Sequence, residues 1–345
     1  LITVRGFCET CEELELADRI RALTAAVEFE PLYDPLRKQF HIGYDVVRRQ
    51  AQGHYDLLAS EARLLAYLGA CRLGDTAAWT GMSRRMLGRK GNLLASWSGT
   101  AFEYLMPEIF LPEVRYGLLS TTVRRAVAVM HDKKCNGLWG VSESGYYDFD
   151  AQLRYQYQAF GLGELSLRSQ PNRCVVAPYA SMLALRYAPR RVVSNYDKLV
   201  ARGALDDMGL CEALDYTQGK QIVRSHMTHH QGMLLAAVTN ALTDGCLQSY
   251  FTSDPTVRGG RLMLEERMPI GRYASTNPSD FVYLPTKGAE WSAQGDPLSD
   301  PCAVNAMVGD RYALVIDDRG CGYATCGSDT IYRYRPDWDA DWGAF

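Results

Sequence analysis

The chain carries almost no net charge: 37 Lys and Arg against 40 Asp and Glu leave −3 over 345 residues. That removes the electrostatic case for nucleic acid or an anionic membrane as partner. No apolar run reaches the ~18 residues that a membrane-spanning helix needs, and no signal peptide is recognisable at the start. The chain has no strand–helix–strand rhythm, phosphate loop or dinucleotide fingerprint, and no cofactor is expected. It also lacks a GxSxG elbow, so Ser142 and Ser144 have no nucleophile setting. Ten cysteines are scattered without the spacing of a disulfide framework. Cys8 and Cys11 form a lone CxxC with no second pair near it, so free thiols in a reducing, cytoplasmic setting are expected. The first residue is Leu1 rather than Met, and the chain reads as a piece of something longer.

Aromatic residues, by contrast, are plentiful. Twenty-one tyrosines and six tryptophans, many beside polar motifs, suit a groove for a polar, ring-shaped ligand. The stretch Trp139-Gly-Val-Ser-Glu-Ser-Gly-Tyr-Tyr147 concentrates the pattern. Glu143 sits among small residues, between Trp139 and the pair Tyr146 and Tyr147. Gly140 and Gly145 leave room for a backbone or ligand to come close. A carboxylate beside aromatic platforms is what glycoside chemistry uses. The same stretch also reads as a turn with a helix-capping Ser142.

Helical periodicity runs through most of residues 1–269. Leu16, Ile20, Leu23 and Val27 mark an amphipathic helix within 12–29. Residues 32–47 read as a hairpin turning at Asp34-Pro35. A strong helix is expected over 55–73, with Glu61 at the edge of its apolar stripe. Further helices follow over 118–133, 175–189, 190–205 and 224–242, then a pair over 244–267. These paired helices with polar linkers predict an all-α toroid of helical hairpins whose loops build a cleft. Residues 270–301, rich in Gly, Pro, Ser, Asp and Thr, read as a linker. Residues 302–345 switch to period two, and are read as the start of a truncated β domain.

Four glutamates stand in aromatic or small-residue contexts: Glu61, Glu103, Glu143 and Glu212. A glycosidase or transglycosylase needs two of them, one to donate a proton and one as nucleophile or base. Each has a plainer reading. Glu61 fits an ion pair with Arg63 or Arg84, and Glu103 a capping box with Thr100. His226 and His230 have the i, i+4 spacing of a metal pair but lack the glutamate of a zinc helix. No metal is expected, and His230 and Gln231 are read as hydrogen-bonding sugar hydroxyls.

The strings LYDPLRKQFHIGYDVV, YDLLASEARLLAYL, SWSGTAFEYLMP, WGVSESGYY, YQYQAFG, VVAPYASMLAL, CEALDYT and HHQGM occur in this order. Together they resemble the cyclisation domain of cyclic β-1,2-glucan synthases, glycoside hydrolase family 189. The tail from Gly309 resembles the opening β-sandwich strands of the phosphorylase domain that follows in those synthases. The resemblance implies an (α/α)6 barrel and a retaining transglycosylase that cleaves a linear β-1,2-glucan and closes it into a ring. Glu143 would be the nucleophile and Glu61 the acid/base, with Glu103 the rival for either role. Trp139, Tyr146, Tyr155 and Tyr157 would be stacking faces, and Asp56, Glu103, His229, His230 and Gln231 further substrate contacts. Linear β-1,2-glucan and the other domains of a larger, membrane-anchored bacterial synthase would be the partners, this chain lying in its cytoplasmic portion. A hydrolase of the same glucan, or a silent glucan-binding module, are the alternatives.

Overall fold

The computed structural model describes residues 1–87 and 93–267, and the strands 304–308, 312–317, 322–326 and 329–334. The chain divides into two compact units, Leu1–Asp280 and Phe281–Phe345. The expected linker over 270–301 lies outside the described residues. Among the described residues no helix is long and apolar enough to cross a membrane.

The first unit is built on helices. Leu118–Asp132 shows why they form: Leu118, Thr122, Val123, Ala126, Val127 and Met130 recur at helical spacing and are buried. The helix Ala62–Leu73 ends at Gly74, whose φ of 67° supplies a left-handed cap. Tyr67, Trp79, Tyr104, Leu94, Leu138 and Leu165 are fully buried side chains of one continuous core. Ile2–Thr10 packs against Cys246–Thr252, and Arg5 pairs with Asp254 at 2.6 Å, so the two ends of the helical run meet.

The all-α expectation needs correction. Short antiparallel pairings accompany the helices: Tyr33–Asp34 with Gln39–Asp45 and Gln50–His54, Glu143–Phe149 with Tyr155–Ala159, and Ala213–Asp215 between Val175–Val176 and Gln221–Val223. The 32–47 hairpin is therefore present, with a third strand. Residues 175–189 are a two-residue strand and the short helix Pro178–Met182, not one helix. The helix expected over 12–29 is Leu14–Ala25, and its apolar stripe is not a buried one. Ile20 is buried with Ala17 and Cys8, whereas Leu16, Leu23 and Val27 are exposed.

One further expectation, that the cysteines are free thiols, fails for a long-range reason. Cys135 and Cys174 form a disulfide across 39 residues, which sequence spacing could not reveal. Cys8 and Cys11 are free thiols. The second unit is described only by its strands, Val304–Val308, Tyr312–Asp317, Gly322–Cys326 and Asp329–Tyr334, an antiparallel sheet in sequence order with a register shift at Ala324/Thr325.

Candidate active site

Glu143 opens the strand Glu143–Phe149, not a loop. Its hairpin places Glu143 opposite Ala159 and Gly145 opposite Tyr157. The turn is held by Asp150, whose Oδ1 accepts from the N–H groups of Gln152 and Arg154, both at 2.9 Å. Gly140 has a φ of 132°, and a Cβ there would lie 2.8 Å from the Ala177 carbonyl oxygen. At Gly145 a Cβ would lie 3.2 Å from Glu212 Cγ. The missing side chain lets the Gly145 N–H donate to Glu212 Oε1 at 3.0 Å. Both glycines thus serve close approach, as the sequence suggested.

Behind the hairpin, buried polar groups fix its position. Ser142 Oγ accepts from the Phe102 N–H (3.0 Å), capping the helix Ala101–Leu105 from another part of the chain. The Tyr179 hydroxyl lies 2.9 Å from both Ser142 Oγ and the Glu143 carbonyl oxygen. His230 Nδ1 lies 3.0 Å from each carboxylate oxygen of Glu212, and both side chains are almost fully buried. A carboxylate facing Nδ1 puts the ring proton there and leaves Nε2 an acceptor. That Nε2 is buried without a hydrogen-bond partner. The imidazole stacks on Tyr179 at 3.8 Å, with Tyr157 at 6.2 Å.

The Tyr157 hydroxyl donates to Glu143 Oε2 at 3.3 Å. Burial raises the Glu143 carboxyl above its usual range, with the negative Glu103 adding to it; the Tyr157 hydrogen bond opposes the shift.

Glu61 stands at the N-cap of Ala62–Leu73, not within the expected 55–73 helix. The preceding residues are drawn off the helix because Leu57 bridges to Ser83 and the Leu58 N–H donates to the Ser83 carbonyl (3.0 Å). The ion-pair reading does not hold either. Arg63 is buried and spends its guanidinium on Glu108 (3.0 Å) and on the carbonyls of Ser60, Glu103 and Tyr104. Arg84 pairs with Glu266. Burial pushes Glu61 up to about 7, with Glu103 and Glu143 adding their negative charge and Glu61's own N–H and Arg63 opposing.

Glu103 is a different kind of residue. It is buried, and its carboxylate accepts from Ser98 N, Thr100 N, Ser96 Oγ and Thr100 Oγ1, while its own N–H donates to Thr100 Oγ1. This is the reciprocal capping box, and it leaves no acceptor direction for a sugar. Glu103, expected as a substrate contact, is thus a structural cap of the helix Ala101–Leu105.

The other expected contacts divide sharply. Tyr157 is exposed beside Glu143. Asp56 is half-buried and accepts from Trp97 Nε1 at 2.7 Å. Burial raises its pKa, and the Trp97 hydrogen bond opposes this. Trp139 is only 2% exposed, its backbone bonded on both sides to Asn195, so it is a core residue and not a sugar platform. Tyr146 points to the other face of its strand, edge-on to Phe160 with Arg173 over its ring at 4.5 Å. Tyr155 packs against Phe149 (4.9 Å) and Tyr147 (6.0 Å) towards the hairpin tip. Gln231 braces the chain by donating to the Leu210 carbonyl (2.9 Å). His229 is exposed, its ring 4.0 Å from that of His230. His226 pairs with Asp206 (3.1 Å) and does not converge with His230 on a common ligand point.

Two groups near the carboxylates escaped the sequence reading. Tyr55 is half-buried, and its hydroxyl pKa is raised by burial and by the negative charges of both Glu61 and Glu143. Trp97, half-buried, is bonded to Asp56 and covered by Arg168 at 4.8 Å. The SWSGT string contained Trp97, but the contact to Asp56 spans 41 residues.

The corrected role of Trp139 gives a test. Trp139→Phe leaves a cavity and lowers stability by roughly 1–2 kcal/mol. Denaturant unfolding reads that loss.

Comparison with known proteins places the chain among carbohydrate-active relatives. The chain is 33% identical over 347 aligned residues, 94% of its length, to the cyclic beta-(1,2)-glucan synthase NdvB of Rhizobium meliloti (strain 1021). It spans only 12% of that protein's length. The fold is like that of a putative glucoamylase from Bacteroides caccae (TM-score 0.60, 16% identity, 76% of this chain and 68% of that one). It is also like that of an endo-beta-1,2-glucanase from Chitinophaga pinensis in complex with sophorotriose and glucose (TM-score 0.58, 17% identity, 76% and 68% covered). Residues 54–255, which hold Glu61, Glu143, Glu212 and His230, match the profile of the family described as putative glucoamylase (Glycoamylase), and the chain belongs to that family.

Proposed function

We propose that this chain is a retaining transglycosylase that cleaves linear β-1,2-glucan and rejoins it as a ring, with Glu143 as nucleophile and Glu61 as acid/base. The observation that carries the reading is a pair of carboxyls made unequal by their surroundings. Glu61 is pushed up to about 7 and so holds a proton to donate, whereas at Glu143, also raised by burial, the hydrogen bond from Tyr157 favours the ionised form. Tyr55 is near enough to feel both charges, and Trp97 and Tyr157 supply aromatic surface. His230 Nε2, a buried acceptor without a partner, is suited to receive a sugar hydroxyl.

Identity to a cyclic glucan synthase supports the substrate, as does fold likeness to an endo-β-1,2-glucanase. The meeting of the first helix with Cys246–Thr252 supports closure of the helices into an (α/α)6 ring. In this reading residues 302–345 open a phosphorylase-like domain. The chain then works inside a larger, membrane-anchored synthase, on its cytoplasmic side, beside the other domains. A hydrolase of the same glucan is the second reading, favoured by the likeness to the glucanase.

Incubation with linear β-1,2-glucan and mass analysis of the products separates these. Rings, one water lighter than the linear chain of equal length, support the transglycosylase. Short linear sugars support the hydrolase, and intact glucan with retained binding removes the enzyme reading. The pH profile gives a second test. Loss of the Glu61 proton should make kcat/KM fall as pH rises through about 7. Glu61→Gln should remove that alkaline limb from whatever turnover of an activated donor remains.

A further inference from the structure

The hairpin Tyr33–His54 brings together three side chains that the proposed chemistry does not use. His41 and His54 are direct partners across the antiparallel pair, their rings 4.3 Å apart. One ligand atom from each of Asp34, His41 and His54 lies within 4.8 Å of the other two. All three residues are half-buried, not free in solvent. His54 Nε2 is 3.0 Å from Asp34 Oδ2.

The orientation of these groups is fixed from behind. His41 Nδ1 is 3.0 Å from the Gly53 carbonyl oxygen. A carbonyl only accepts, so Nδ1 carries the proton and Nε2 presents its lone pair. A backbone carbonyl holding the far nitrogen is the usual support of a metal-ligating imidazole. On Asp34, Oδ1 accepts from the N–H groups of Leu36 (2.9 Å) and Arg37 (3.2 Å), which leaves Oδ2 to face His54. Arg37 Nε, 4.0 Å from Oδ2, is a competing cation, but at a distance where it orients the carboxylate without closing it off.

We propose that Asp34, His41 and His54 bind a divalent transition-metal ion of the zinc class through Oδ2, Nε2 and Nε2, with water in the fourth position. An ion about 2.0–2.2 Å from each ligand needs the ligand atoms roughly 3.3–3.6 Å apart. The widest pair must therefore close by about 1 Å, a small rotation of an imidazole or carboxylate. On binding, the ion replaces the proton between His54 Nε2 and Asp34. That proton moves to His54 Nδ1 or to solvent, since only a neutral imidazole ligates. The site clips the strand Tyr33–Asp34 to the strand that ends at His54. His54 is followed directly by Tyr55 and Asp56, and the Tyr55 N–H donates to the Phe40 carbonyl (2.9 Å). The ion would thus stiffen the segment that carries Tyr55 towards Glu61 and take no part in bond cleavage.

The test uses the 345-residue chain, stripped with chelator, then titrated with Zn2+ by calorimetry and with Co2+ by visible absorption. One saturable equivalent is expected, with a rise in Tm and a cobalt spectrum lacking thiolate bands. His41→Gln and His54→Gln should each weaken binding by more than the ~10–100-fold lost when only an outer partner is removed. Asp34→Asn keeps the Oδ1 acceptor for Leu36 and Arg37 and should weaken binding with the fold intact by circular dichroism. Absence of saturable binding overturns the proposal. So does binding that survives in the His41→Gln/His54→Gln double variant, or that is lost only with Cys8→Ser/Cys11→Ser.

Discussion

Glu143→Gln and Glu61→Gln should each lower turnover of β-1,2-glucan by at least about a thousandfold, roughly 4 kcal/mol of transition-state stabilisation, while the protein stays folded. Glutamine keeps the shape of each side chain. At Glu143 it still accepts from Tyr157, but it cannot form a glycosyl ester. At Glu61 it has no proton to give to the leaving oxygen. The two losses differ under rescue with azide and an activated β-glucoside donor. Without the acid/base the glycosyl-enzyme still forms, and azide attacks it from the β face, giving a β-glycosyl azide. With the nucleophile shortened, in Glu143→Gly, azide enters the vacated α side and gives the α product. Identical anomers from the two variants would remove the assignment, and so would full activity in either one.

The second large effect is expected at Glu103. Glu103→Gln should lower stability by about 4–6 kcal/mol, because an amide nitrogen is forced among four donors and at least two lose their acceptor. Glu103 also contributes negative charge that raises both Glu61 and Glu143. Where the variant is still folded, at low temperature, its alkaline limb should therefore move to lower pH, since Glu61 loses a like charge and ionises more easily. Azide should have no effect on it. Thermal unfolding and the pH profile read the two consequences separately. If instead Glu103→Gln is stable and gives the β-azide while Glu61→Gln remains active, Glu103 is the acid/base and Glu61 is not.

The difference between these glutamates shows what local sequence can and cannot convey. The capping box of Thr100 and Glu103 was readable because cap and carboxylate are three residues apart. The helix Leu118–Asp132 was readable because its buried positions recur within one element. Gly140 and Gly145 announced close approach, though not of which groups. What could not be read depends on contacts between distant segments. Trp139 looks like a platform beside Glu143, but Asn195, 56 residues on, locks it into the core. Glu61 was placed inside a helix because its string is helical in pattern, and pairing with Ser83 moved the helix start past it. The support of His230 by Glu212 joins the residue before the strand Ala213–Asp215 to the helix Thr228–Leu242, and the Trp97–Asp56 bond joins two loops. A candidate pair was thus visible, but its surroundings were not.

Arg63 divides the site into two walls with different freedom. By donating to the carbonyls of Ser60, Glu103 and Tyr104 and to Glu108, it welds the segment of Glu61 to the segment of Glu103. The opposite wall is a two-stranded hairpin with Tyr147, Phe149, Leu153 and Tyr157 exposed, the kind of element that opens locally without global unfolding. In the proposed reaction the same glutamates would have to meet a chain end twice, once on cleavage and once on closure. A Glu61 segment tied down by Arg63 would present the same proton donor on both occasions, and any adjustment to the incoming end would fall on the exposed hairpin.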